Sequence, residues 1–96
     1  MRNLNMQFKR ERNLLRSLCK GHIEDLIRDV GWSNIQCTMI KKRYLEFKSK
    51  TRACMEIGVS ETQYSRELNN LLAKLMSYLI HNKETEISKI YFEYFN

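Results

Sequence analysis

Apolar side chains recur along this chain mostly three and four positions apart, and polar residues fill the positions between them. From residue 3 to 20, Leu4, Phe8, Leu15 and Leu18, with Met6 and Leu14 beside them, form a stripe opposite Lys9, Arg10, Arg12 and Arg16. That is the pattern of an amphipathic basic helix. Gly21 is expected to interrupt it. Ile23, Leu26, Ile27 and Val30 then make an i, i+3, i+4, i+7 set closed by Gly31, a natural C′ residue. Ser33 followed by Gln36 has capping-box spacing, so a third helix should begin there. Ile35, Met39, Ile40 and Tyr44 are its expected inward face, and Lys41, Lys42 and Arg43 should project near its end, where they also suit the negative pole of the helix dipole.

The periodicity lapses around Phe47 to Lys50 and resumes in "TRACMEIG", a short helix with Ala53, Cys54 and Ile57 inward and Gly58 as its stop. Ser60 and Gln63 supply a second capping box. Val59 and Tyr64 stand at the hydrophobic-staple positions around it. The stripe that follows is the longest in the chain: Tyr64, Leu68, Leu71, Leu72, Leu75, Met76, Leu79 and Ile80, all expected inward on one long helix. In residues 82–96 a polar "NKETE" precedes Ile87, Ile90, Tyr91, Phe92, Tyr94 and Phe95, a pattern that suits helix or strand, with helix favoured.

The composition agrees with these periods. The 96 residues include no proline and only three glycines, so a single all-α domain of about five to six helices is expected, with no room for a second domain. Seventeen Lys and Arg against eleven Asp and Glu give a net charge of +6. Two blocks carry more than the whole of that surplus, and the rest of the chain is net negative. Residues 1–20 hold Arg2, Lys9, Arg10, Arg12, Arg16 and Lys20 against Glu11; residues 41–52 hold Lys41, Lys42, Arg43, Lys48, Lys50 and Arg52 against Glu46. Blocks of this kind suit a phosphate-contacting surface, although two solvated helix faces would look the same.

Other chemistry is poorly represented. The odd cysteines Cys19, Cys37 and Cys54 read as reduced thiols. Cys19 and His22 share a helix face but have no second ligand pair, so no metal and no cofactor is expected. No Gly-rich phosphate loop, paired-carboxylate motif or nucleophile with a nearby base is present, and His22 and His81 read as surface or helix-end residues, so no enzymatic activity is expected. Without an apolar run of membrane-spanning length or the apolar core of a signal peptide, the expected location is the cytoplasm.

The Gly58 corner carries the most specific signal. A helix-turn-helix needs a small residue where its helices cross, a glycine at the turn and apolar residues locking the pair. Cys54, Gly58, Ile57, Val59, Tyr64 and Leu68 meet those needs. The outward positions are then Glu61, Thr62, Gln63, Ser65, Arg66, Asn69 and Asn70, several of them types that read base edges or bond phosphate. The segment "YLEFKSKTRACMEIGVSETQYSRELNNLLAKL" resembles region four of bacterial sigma factors, and more closely the ArpU-type phage late-transcription regulators, through Arg43, Tyr44, Leu45, Glu46, Gly58, Val59, Ser60, Glu61, Tyr64, Leu68, Ala73, Lys74 and Leu75. The likeness covers residues 35–80. Cys54 stands where that pattern usually has Ala, and Glu67 where it is generally apolar.

The resemblance implies a DNA-binding fold with the long helix from Ser60 as recognition helix in the major groove and the preceding helix across the backbone. By position, Glu61, Thr62, Gln63, Ser65 and Arg66 would face the groove, and Lys50 and Arg52 the phosphates. With Lys41, Lys42, Arg43 and Lys48 from the basic block, the cap residue Ser60, and Asn69 and Asn70, these make up the expected site. The expected function is a sequence-specific transcription regulator encoded by a phage or mobile element of an AT-rich bacterium. Its partner would be double-stranded DNA, with RNA polymerase as a further candidate. A homodimer is expected, its seam formed by the long helix beyond Leu71 and residues 87–95. Two other readings remain: an interaction protein that binds host RNA polymerase or a repressor through Tyr91, Phe92, Tyr94 and Phe95, and a DNA-packaging subunit.

Overall fold

The computed structural model describes residues 8–95. Among them are six α-helices and no strand. They are α1 (Lys9–Ser17), α2 (Lys20–Asp29), α3 (Asn34–Ile40), α4 (Lys50–Ile57), α5 (Glu61–His81) and α6 (Glu86–Ile90). A π-helical turn extends α3 over Lys41–Leu45, and another extends α6 over Tyr91–Phe95. No helix among the described residues is long and apolar enough to cross a membrane.

α5 is the spine. Its Leu71, Leu72, Leu75 and Leu79 are fully buried among Leu14 and Leu15 of α1, Ile23 and Leu26 of α2, Met39 and Ile40 of α3, Ala53 and Cys54 of α4, and Ile87 and Tyr91 from the C-terminal segment. The C-terminal aromatics join this core: Tyr91 is buried, Phe92 and Phe95 pack against it, and Tyr94 alone of the four is largely exposed. The Tyr91 hydroxyl donates to the buried Glu11 carboxylate, which ties the end of the chain to α1. Ile87 and Tyr91, expected at a dimer seam, therefore complete the protein's own core.

Three expectations are corrected. The break after α1 falls at Leu18 and Cys19, both extended, and Gly21 lies within α2. The local reason is Ser17, whose hydroxyl donates to the Leu14 carbonyl at 2.8 Å and competes with continuation of the helix. The residues of the first stripe that precede Phe8, Leu4 and Met6 among them, lie outside the described residues. Met76 and Ile80 face outward, 37% and 47% exposed, because Leu72, Leu75 and Leu79 already fill the buried face of α5. Lys42 and Arg43 do not project freely: the π turn, in which Glu46 N–H donates to the Lys41 carbonyl five residues back at 2.9 Å, leaves them half-buried beside Tyr44.

The capping box at Ser33 is made in both halves, and at Ser60 the half in which the hydroxyl accepts from Gln63 N–H. Ser33 Oγ accepts from Gln36 N–H at 3.3 Å, and Ser33 N–H donates to Gln36 Oε1 at 3.0 Å. Gln36, which sequence periodicity does not mark as a core residue, is buried and also joins α3 to α5. Its amide donates to Glu67 Oε1 at 3.1 Å, and its Oε1 accepts from Lys74 Nζ at 3.0 Å. Glu67 is polar at its position because it receives that buried amide. Gln36→Ala leaves Ser33 N–H, the Glu67 carboxylate and Lys74 Nζ without this partner and is expected to destabilise the fold by about 1–3 kcal/mol. Urea denaturation followed by Trp32 fluorescence measures it; an unchanged midpoint would contradict the bridging role.

Candidate nucleic-acid interface

At the corner, the amides of Gly58 and Val59 both donate to the Cys54 carbonyl, at 2.9 and 3.1 Å. Gly58 has φ +85°, the left-handed conformation that glycine takes without strain. Ser60 then starts α5, its hydroxyl accepting from Gln63 N–H at 3.0 Å, so this predicted site residue is committed to a cap. Glu61, Thr62, Gln63, Ser65, Arg66 and Asn70 are exposed on α5, and Asn69 is half-buried. Lys50, in the first turn of α4, has its Nζ 3.8 Å from Glu61 Oε1 and 5.9 Å from the centre of the Tyr64 ring.

Beside this face lies a cleft of about 390 Å³. Arg12 and Arg16 of α1, Arg43 and Tyr44 of the π turn, and Lys50 of α4 line one side; Tyr64, Ser65, Leu68 and Asn69 of α5 line the other. No carboxylate is among these residues. Arg12 and Arg16 reach it together because four residues are about one helical turn. The two basic blocks, distant in sequence, thus meet at one edge of the α5 polar face. The Tyr44 hydroxyl is held above its ordinary pKa by burial, against the pull of Arg43, Arg16 and Arg12. Burial also pushes Tyr64 up to about 12, with Arg43 opposing.

The rest of the middle block is placed differently. Lys42 Nζ, Lys48 Nζ and Arg52 Nε converge on the Glu56 carboxylate at 2.8, 3.1 and 2.9 Å. Glu46 adds weaker pairs to Lys42 and Lys48, at 3.7 and 3.9 Å. These three cations retain a net positive charge, but their heads are partly satisfied within the fold. Lys41 is exposed and lies outside the cleft. Sequence reasoning passed over Glu56, Arg12, Arg16 and Tyr44 as site residues. The i, i+4 spacing of Arg12 with Arg16 and of Arg52 with Glu56 was the available signal.

Hydrogen bonds from Lys42 and Lys48, then Arg52, hold Glu56 at about 2, below its ordinary 4.5. Its pairing therefore contributes stability above about pH 4.5 that is lost as the pH falls toward 2. Tyr91 moves the other way, raised from 10 to about 12 by burial and by its bond to Glu11, so its contribution is present below pH 10 and lost between 10 and about 12. Denaturation midpoints across pH are expected to decline at both ends. Glu56→Gln should flatten the acid limb and Tyr91→Phe the alkaline one; limbs unmoved by these changes would contradict the assignments.

No protein-family model, curated protein or solved structure matches this chain. Among the described residues, no group of three or more His, Cys, Asp or Glu side chains is placed to hold a metal ion. Cys19 is exposed, Cys37 half-buried and Cys54 buried. The chemistry the site offers is anion binding beside a hydrogen-bonding helix face.

Proposed function

We propose that the protein is a duplex-DNA-binding regulator of transcription, with the first turns of α5 in the major groove and the cleft cations on the adjoining phosphates. The observation that carries this reading is the convergence of Arg12, Arg16, Arg43 and Lys50 beside Ser65 and Asn69. Nucleic-acid affinity comes chiefly from phosphate contacts and specificity from base edges, and the two chemistries here lie side by side. The polar α5 face is nearly neutral, since Glu61 stands against Arg66, so the cleft supplies the attraction that the helix lacks. The likeness to sigma region four and the ArpU-type regulators supports the same docking. It also supports a phage or mobile-element origin and action in the bacterial cytoplasm.

A second reading has its own observation: Met76 and Ile80 form an exposed apolar pair one turn apart on α5. They favour a protein contact, either a second copy of the chain or a subunit of RNA polymerase. The two readings part on mutation. Arg66→Ala and Gln63→Ala are each expected to weaken binding to a preferred duplex by about 1–3 kcal/mol and to relax its specificity. Titration of labelled duplex at low salt measures this. If neither change matters while a polymerase subunit co-purifies with the protein, the DNA reading fails.

A further inference from the structure

In the loop between the π turn and α4, the left-handed backbone of Phe47 closes the turn, with Lys48 N–H donating to the Lys42 carbonyl at 2.9 Å, but its ring stays outside the core. Phe47 is 83% exposed, the most exposed of the large hydrophobic side chains among the described residues. Its backbone has φ +57°, a left-handed conformation that disfavours a bulky residue and that glycine would adopt at no cost. A polar residue would be better solvated there, and glycine would relieve the backbone. Strain together with an exposed aromatic ring points to a partner.

The surroundings indicate which partner. Phe47 borders a hollow of about 270 Å³ lined also by Leu15, Leu18, Arg16, Arg43, Tyr44 and Lys48. Arg16, Arg43 and Tyr44 line the basic cleft as well, so the two depressions share a wall. One continuous cationic track therefore runs from the polar face of α5 to an exposed aromatic ring. A partner fitting it has a line of negative charge with flat apolar groups beyond, which is the chemistry of a nucleic-acid strand. With α5 in the major groove, a track crossing one phosphate strand arrives at the minor groove.

We infer that Phe47 is a wedge that enters the duplex from the minor groove and partly unstacks one base step, bending the DNA away from it. This rests on the DNA-binding reading and adds to it the mode of contact. Aromatic and aliphatic wedges of this kind kink duplexes by about 20–90°, most readily at flexible pyrimidine–purine steps. Arg16 and Arg43 would hold the phosphates on either side of the opened step.

The test uses the full chain and a bound duplex carrying donor and acceptor dyes at its ends, with 2-aminopurine substituted in turn at steps flanking the protected site. The parent protein should shorten the end-to-end distance and raise 2-aminopurine emission at one step. Phe47→Ala should abolish both effects and lower affinity about tenfold, with the salt dependence of binding unchanged. Phe47→Leu should retain most of the bend. Phe47→Gly, which relieves the backbone, should show no loss of thermal stability while losing the bend, so failure to fold is separated from failure to wedge. A parent protein that binds duplex without bending it or lighting any step, or bending indifferent to Phe47→Ala, overturns the wedge and leaves DNA binding standing. Absence of duplex binding by the parent overturns both.

Discussion

Changing Arg16 and Arg43 together to glutamate is expected to lower affinity for duplex DNA by a factor on the order of one hundred, because each reversal replaces attraction to a phosphate by like-charge repulsion. Both side chains line the cleft beside Ser65 and Asn69, and Arg43 also faces the partly buried Tyr44. The fold should survive. Arg16 is exposed, with a long 3.4 Å bond to Asn13, and Arg43 gives one 3.3 Å bond to the Lys48 carbonyl. The far-ultraviolet circular dichroism should therefore match that of the parent. The salt slope of binding should fall by about 2, since each lost phosphate contact removes roughly 0.9. Lys41→Glu, exposed and outside the cleft, serves as the control for a change of net charge, and it should cost far less. A double variant that binds like the parent, or no more weakly than Lys41→Glu, would contradict the placement of phosphate in the cleft.

Trp32→Ala should produce the largest loss of stability. The ring is 7% exposed, and its Nε1 donates to the carbonyl of Leu71, a fully buried residue midway along α5, at 2.8 Å. Gly31, at φ +86°, turns the chain so that Trp32 enters the core just before the Ser33 cap. Removing the side chain leaves a cavity and is expected to cost about 3–5 kcal/mol. A domain of this size has roughly 5–15 kcal/mol in total, so the variant should sit near its unfolding threshold. Trp32→Phe keeps most of the packing and loses the hydrogen bond, and about 1 kcal/mol is expected for it. Urea denaturation followed by circular dichroism measures both. A Trp32→Ala midpoint within error of the parent would show that the ring does not pin α5.

What was legible in the sequence was local. Ser33 with Gln36, Ser60 with its N3 amide, and the Gly58 stop are contacts over three to five residues, and each appears where spacing placed it. The stripe of Leu71, Leu72, Leu75 and Leu79 was equally plain, because helical period alone decides it. Where neighbouring elements decide, periodicity failed. Met76 and Ile80 continue the stripe in sequence, but among the described residues no further helix covers that edge of α5, and they remain exposed. Residues 82–96 suited strand almost as well as the favoured helix until Ile87 and Tyr91 had a core to enter and Tyr91 had Glu11 as partner. A buried glutamine bridging two helices leaves no periodic trace, so Gln36 was seen only as a cap.

The site divides along the same line. The exposed face of α5 could be listed from residue order, since Glu61 to Asn70 occupy known angles on one helix. The cleft beside it could not. Arg12 and Arg16 belong to a helix more than forty residues away, and only the packing of α1 beside α5 brings them to Arg43 and Lys50. Three cations that the sequence offered as phosphate contacts, Lys42, Lys48 and Arg52, turn instead to Glu56. Net charge per block was therefore a poor guide to which side chains are engaged within the fold.

The most direct measurement is selection of bound sequences from a pool of random duplex DNA, at low and at moderate salt. The account predicts that the protein retains duplex, that retention weakens steeply with salt, and that a motif of a few base pairs is enriched by the parent and lost with Arg66→Ala and Gln63→Ala. Enrichment of the motif as a two-fold-related pair would report a homodimer on the site. Failure to retain duplex even at low salt, or retention with no sequence enriched above the starting pool, would contradict the claim that α5 and its basic cleft form a sequence-reading surface.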